Sequence, residues 1–202
     1  MKKRITFSAT LLAIGISVSS SYTASATNTI AKVYDGDTIT LSSGEKVRLL
    51  QIDTPELSAA KCYSKKARSA LVALLNSPGQ ITLKTDPKLD KVDRYGRLLR
   101  YVFVGKTNIN LKLVEIGAAA PYFYRGEKGL YSEQILNAAQ MAKSKSIGLW
   151  KSCPRTQLTP TRAVATTSSS YMAEKKDYAS QLSDYVLSLE ERKFSPSTTI
   201  EI

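Results

Sequence analysis

Between Thr29 and Ile52 apolar and β-branched residues recur at strand spacing: Ile30, Val33, Ile39, Leu41, Val47, Leu49 and Ile52. Asp35-Gly36 and Ser43-Gly44 interrupt them with turn residues, which predicts a three-stranded meander. Pro55 has no amide to donate and ends the third strand. The period then lengthens. From Cys62 to Asn76, Ala67, Ala70, Leu71 and Leu74 share one helical face while Lys65, Lys66 and Arg68 lie off it, and Pro78-Gly79 stops the helix. Alternation returns over 80–85, and again from Leu98 to Val104, as two more strands. The charged, turn-rich 86-DPKLDKVDRYGR-97 between them reads as a surface hairpin loop. A second helix is predicted from Asn108 to Ile116, with Gly117 as its left-handed cap. After a loop over 118–125, a last amphipathic helix runs from Tyr131 to Ile147 and ends at Gly148.

Three strands, a helix, two strands and two helices fit a small α+β fold: a five-stranded OB-fold barrel with three helices. Residues 27–154 hold this one domain. Before it, Lys2, Lys3 and Arg4 precede a short apolar run from Phe7 to Val18, and Ala24-Ser25-Ala26 offers a small-residue cleavage site. Residues 1–26 therefore read as a signal peptide, the run being too short and too rich in Ser and Thr for a span of about 20 apolar residues. After the domain, 155–170 is a Ser/Thr-rich linker. In 171–202, Tyr178, Leu182, Tyr185, Val186 and Leu189 fall at helical spacing, either an amphipathic helix or a disordered tail.

Charge narrows the picture. The chain carries 29 Lys and Arg against 17 Asp and Glu, a net charge of +12. Removing residues 1–26 takes away only three cations, and the remaining excess falls wholly within 27–154. A basic domain attracts polyanions by steering and counterion release. Histidine is absent, which excludes His-paired acid–base catalysis, Ser-His-Asp hydrolysis and His-ligated zinc. Cys62 and Cys153 are the only cysteines. In an exported protein, secreted or periplasmic, they read as a disulfide closing a 91-residue loop. Such a closure is worth roughly 4–5 kcal/mol in the chain-entropy limit and less in practice.

The chemistry gathers between Ile30 and Glu56, where Asp35, Asp37, Asp53 and Glu56 accompany Arg48. Hard carboxylate oxygens suit a cation such as Ca²⁺, and a guanidinium fork suits phosphate. Together they suggest a metal-dependent phosphodiesterase.

Four segments in order, 33-VYDGDTITL-41, 47-VRLLQIDTPE-56, 93-DRYGR-97 and 120-APYFYR-125, closely resemble the staphylococcal (micrococcal) nuclease, or thermonuclease, family. The resemblance runs over about residues 29–151, through 147-IGLW-150. It implies an OB-fold, Ca²⁺-dependent endonuclease that cleaves DNA and RNA to 3′-phosphorylated products. It further implies Asp37, Asp53 and the carbonyl of Thr54 as metal ligands; Asp35 reads as a supporting residue behind them, either orienting metal-bound water or only making the Asp-Gly turn. Glu56 matches the proposed general base, and Arg48 and Arg97 match the phosphate-binding arginines. Tyr95, Tyr122 and Tyr124 match nucleotide-contacting tyrosines, and Arg94 adds a phosphate contact. The expected partners are DNA and RNA substrates, with no stable protein partner, a monomeric chain and no membrane anchor after signal cleavage. The sequence departs from the best-known members in its short 57-LSAAK-61 loop, its cysteines and its tail. A noncatalytic OB module that binds nucleic acid is the alternative.

Overall fold

The computed structural model describes residues 28–166. The expected signal peptide, the end of the expected linker (167–170) and the tail from 171 lie outside them. The meander forms as β1 (Ile30–Val33), β2 (Thr38–Leu41) and β3 (Lys46–Leu49), each antiparallel to the next. The third strand is shorter than the pattern predicts. Gln51 turns with φ 63°, and Ile52–Asp53 leaves the sheet as a separate short strand, β4. Helix α1 spans Ser64–Leu75, and strands β5 (Ile81–Lys84) and β6 (Leu98–Val104) follow.

The strands lie in the order β1-β2-β3-β6-β5, a curled mixed sheet of OB type. One parallel pair, β3 with β6, sets Val47, Arg48 and Leu49 beside Leu98, Leu99 and Arg100. The ladder is open between β1 and β5, where Asn28 Nδ2 reaches the carbonyl of Ile81 at 3.5 Å. A two-residue strand β7 (Thr107–Asn108) pairs with β6 and leads into α2 (Ile109–Glu115), where the Asn108 side chain accepts from Leu111 N. The expected loop over 118–125 holds a short strand of its own, β8 (Ala120–Pro121), antiparallel to β4. After a 3-10 turn at Tyr124–Gly126 come α3 (Ser132–Ser144) and one further turn of helix, α4 (Leu149–Ser152), which periodicity does not predict.

Alternate residues Ile39, Leu41, Val47 and Leu49 fill the barrel. Leu71 of α1, Leu113 of α2, Ile135 of α3 and Leu149 of α4 join the same fully buried cluster. Truncating one such Leu to Ala costs about 2–5 kcal/mol. The disulfide forms as expected, Cys62 to Cys153 with Cα atoms 6.1 Å apart, and ties the start of α1 to the end of α4. Residues 155–166, expected as linker, lie against the barrel, with Leu158 and Val164 packed on the core. Composition spells a linker, but here the Pro160 carbonyl, the Val164 amide and the Thr166 hydroxyl find partners on the domain.

Candidate active site

The Asp-Gly-Asp loop between β1 and β2 is drawn tight against its surroundings. A Cβ on Gly36 would stand 2.8 Å from both Thr54 Cγ2 and Oγ1 and 2.9 Å from Ala67 Cβ, so any side chain there would push the loop off α1. Asp35 Oδ1 accepts the amide of Asp37 at 3.1 Å, the local turn expected of an aspartate two residues back. Asp37 is 4% exposed. Its Oδ2 accepts both the amide (2.7 Å) and the hydroxyl (2.9 Å) of Thr54, and its Oδ1 accepts the Thr38 hydroxyl at 3.1 Å. The chain from β4 is thereby fastened to the loop after β1, 17 residues away in sequence.

Arg48 on β3 bridges the acids. Its Nη1 lies 3.0 Å from Asp37 Oδ1 and its Nη2 lies 2.6 Å from Asp53 Oδ1. Nη1 also donates to the carbonyl of Ile52 at 2.9 Å. One guanidinium thus serves three buried carboxylates, Asp35, Asp37 and Asp53. The positive charge is insufficient. Burial pushes the Asp53 carboxyl up to about 6 and the charge of Asp37 adds to the rise, while Arg48 and the Val164 amide oppose it. Burial and the Asp37 charge also push Asp35 up to about 6. Burial pulls the Arg48 guanidinium down, but the surrounding carboxylates outweigh it and hold its pKa above the ordinary arginine value.

The parallel β3–β6 pairing brings the loop before β6 to the same place. Asp93 organises that loop: its Oδ1 accepts the amides of Tyr95 (2.9 Å) and Arg97 (3.0 Å), and its Oδ2 accepts Arg97 Nε at 2.6 Å. Burial raises its pKa, and those hydrogen bonds outweigh burial to leave it below the usual carboxylate range. Gly96 takes φ 77° to complete the turn, a conformation glycine adopts without steric cost. Arg48, Arg97, Arg94, Tyr95, Tyr122 and Tyr124 all line one open groove of about 370 Å³. Tyr95 is 68% exposed, and the guanidinium carbons of Arg94 and Arg97 sit 4.8 and 5.5 Å from its ring centre. Arg94 Nη2 donates to the Tyr95 hydroxyl at 2.6 Å. An exposed ring flanked by two cations is a surface on which a base can stack beside its phosphate.

Glu56 stands apart from these contacts. It is exposed, and among the described residues its carboxylate makes no hydrogen bond or ion pair, although its charge raises the pKa values of Arg48 and Asp53. The residues around the site include several that sequence patterns do not single out. Gln51 holds the tyrosine wall: its carbonyl accepts the amide of Tyr122 at 2.9 Å, and its side chain bonds Glu127 O, Gly129 N and Ser132 Oγ. Arg125, with φ 54°, lays its guanidinium 5.1 Å from the Tyr124 ring centre. Val164 donates its amide to Asp53 Oδ2 at 2.7 Å. Only Asp93 carried a signal, as the first residue of an Asp-x-x-Gly turn.

A hard cation suits this donor set. Asp37 and Asp53 each turn one oxygen toward a shared centre, now faced by Arg48, and the acids there outnumber the cation. No group of three acidic, cysteine or histidine ligands forms among the described residues; the Thr54 carbonyl, next to Asp53, is a backbone oxygen of the kind that such a cation accepts.

Residues 46–152 match the family described as staphylococcal nuclease homologue. An uncharacterized endonuclease of Haemophilus influenzae is 38% identical over 125 residues, which cover 60% of this chain and 64% of that one. Endonuclease YncB of Bacillus subtilis is 35% identical over 129 residues, 60% of each chain. A thermonuclease of Staphylococcus intermedius is 32% identical over 130 residues, 60% of this chain and 74% of that one. This chain spans 64% or less of the length of the first two of these relatives.

Proposed function

The chain belongs to the staphylococcal nuclease homologue family, and on that premise we propose that it is an exported, Ca²⁺-dependent endonuclease. It hydrolyses phosphodiester bonds of DNA and RNA with little sugar or sequence preference and leaves 3′-phosphates. The observation that carries this reading is the shared groove. Four arginines (Arg48, Arg94, Arg97 and Arg125) and three tyrosines line it, and Arg48 is also the bridge to the buried Asp37–Asp53 pair. Export is supported by the disulfide, which suits an oxidising compartment. No helix among the described residues is long and apolar enough to cross a membrane.

In this mechanism Asp37, Asp53 and the Thr54 carbonyl hold the Ca²⁺ ion. Once bound, the ion supplies Lewis-acid neutralisation of a phosphate oxygen. The rest falls to side chains. Arg97 has both terminal nitrogens without a partner among the described residues, so it can donate a fork to the scissile phosphate. Arg48, held between Asp37 and Asp53, would present its fork to the same phosphate where a bound cation took over the charge of those carboxylates. Glu56, free of protein partners, orients a water opposite O5′ and takes its proton. Water oxygen bonds to phosphorus, the P–O5′ bond breaks, O5′ gains a proton from solvent, and the phosphate stays on the 3′ oxygen. Both arginines neutralise charge that grows on the equatorial oxygens. Tyr95, Tyr122 and Tyr124 stack on or bond the flanking nucleotide without reading its identity.

The test is direct. Purified chain is incubated with plasmid and with RNA, first in Ca²⁺ and then in excess chelator, and the ends are mapped. Cleavage of both substrates to 3′-phosphates in Ca²⁺ alone is expected. Full activity in chelator would remove the metal from the reading. Binding without cleavage would make the chain a nucleic-acid-binding module instead.

A further inference from the structure

Beyond Cys153 the chain does not leave the domain. Thr156 N bonds back to Cys153 O at 3.0 Å, and Arg162 N closes a turn on Thr159 O at 3.0 Å. Between them the carbonyl of Pro160 accepts the amide of Phe123 at 2.6 Å, beside the tyrosine wall. Val164 then reaches Asp53, and the Thr166 hydroxyl donates to the carbonyl of Cys62 at 3.1 Å. The segment starts at one half of the disulfide and returns to the other. It forms a strap that passes over β8 and β4 on the way.

The contact with Asp53 is the informative one. Each of the two carboxylates has one oxygen held by main-chain donors and the other turned to the shared centre. For Asp37 the holding donor is Thr54 N, and for Asp53 it is Val164 N. Asp37 Oδ2 takes the Thr54 hydroxyl as well, whereas among the described residues Asp53 Oδ2 takes the Val164 amide alone; Thr54 lies inside the matched span 46–152 and Val164 lies beyond it. A carboxylate with one oxygen fixed has lost a rotation it would otherwise lose on binding a cation, and its other oxygen, here on Arg48, is already aimed. Donors of this kind, behind the ligands, typically change metal affinity about 10–100-fold when removed.

We propose that Val164, through its backbone amide, is a positioning residue for the cation site, so that the strap 154–166 completes a centre which the family domain alone leaves half-fixed. This rests on the reading of Asp53 as a ligand given above. It predicts that cation affinity depends on a residue that touches neither the metal nor the substrate.

Because the donor is main chain, proline is the substitution that removes it. Ca²⁺ alone is titrated calorimetrically into the full chain, into Val164→Pro and into Val164→Ala, which keeps the amide. The expected result is Ca²⁺ binding about 10–100-fold weaker in Val164→Pro and unchanged within about twofold in Val164→Ala. Val164→Pro should melt below Val164→Ala already in chelator, since Asp53 loses a donor, and the gap should widen when Ca²⁺ is added, a pattern that a merely structural role would not give. Equal or tighter binding by Val164→Pro, while the unaltered chain binds Ca²⁺, would overturn the strap's role and leave the metal reading standing. No Ca²⁺ binding by the unaltered chain would overturn both. A measurement on the unaltered chain does not depend on the proline variant folding. Amide hydrogen exchange at Val164 should be as slow with saturating Ca²⁺ as without it, or slower. Faster exchange on adding Ca²⁺ would mean that strap and cation compete for Asp53, and would overturn the proposal.

Discussion

Arg97 holds Asp93 by its Nε atom, 2.6 Å from Oδ2, and leaves its two terminal nitrogens without partners among the described residues. Arg48, on the neighbouring strand, has both terminal nitrogens engaged by Asp37, Asp53 and the carbonyl of Ile52. The two arginines face one groove in different states. One is aimed and free, the other is held by carboxylates.

Asp93 therefore acts on Arg97 by aiming it. Asp93→Asn keeps an acceptor for the turn but loses the charged hold on Nε, and hydrogen bonds to charged groups are worth about 1.5–3 kcal/mol. Cleavage should fall roughly tenfold to a hundredfold, with the circular dichroism spectrum unchanged. Steady-state kinetics on a labelled oligonucleotide reads it, and wild-type turnover would show that Arg97 aims itself.

Replacing the arginines should separate catalysis from stability. Arg97→Ala and Arg48→Ala should each lower kcat by about 10²–10³-fold or more. Arg97 is partly exposed and its loss should leave the melting temperature nearly unchanged. Arg48→Ala leaves Asp35, Asp37 and Asp53 buried without a cation, a defect that typically costs about 3–5 kcal/mol. Denaturant melts in chelator and in Ca²⁺ should show that loss, smaller when the ion is present.

Glu56→Gln should differ from Arg48→Ala in sparing stability. The side chain is exposed and makes no bond among the described residues, so stability should stay within about 0.5 kcal/mol. Cleavage should drop by about 10²–10⁴-fold. Single-turnover assays beside thermal melts check both halves, and an active Glu56→Gln enzyme would exclude this residue as the proton acceptor.

The acid cluster sets a pH dependence with a definite sign. Asp53 and Asp35 are raised from 3.8 to about 6 in the folded protein, so the fold binds their protons more tightly than the unfolded chain does. Their burden on stability is full above about pH 6 and is relieved as pH falls through that value toward 3.8. In chelator, Asp35→Asn should be more stable than the parent at pH 7.5, and the advantage should shrink by pH 5 and vanish near pH 4. Calcium affinity of the parent should weaken over the same window, as protons compete for the carboxylates. Melting curves at half-unit pH steps, run as parent against variant, cancel every other titrating group.

Opening the disulfide should cost about 2–5 kcal/mol. Cys62→Ser with Cys153→Ser also frees the origin of the strap, so Ca²⁺ affinity should fall along with the melting temperature.

Much of this protein is legible in its residue order. Strand alternation, a helix read from Ala67 and Leu71, and turns at Gly44 and Gly96 follow from local sterics and the two periods of burial, and the elements appear where those rules put them. Asp37, Arg48 and Asp53 are also named by local sequence, because carboxylate and guanidinium chemistry can be recognised within one segment, while Tyr95 and Arg97 are named by the family resemblance. What the sequence could not give is adjacency. The parallel register of β3 with β6 brings Arg97 to Arg48 across 49 positions, and parallel pairing leaves no turn signature to read. Gln51 looked like an ordinary strand residue until its positive φ sent Ile52 into a second sheet and its side chain to Ser132. Residues 155–166 looked like a linker because composition reports side chains, whereas the strap is fixed by backbone groups whose partners lie far away in sequence. Asp53 is named by the local order of residues, but only the tertiary structure shows Arg48 on one of its oxygens and Val164 on the other.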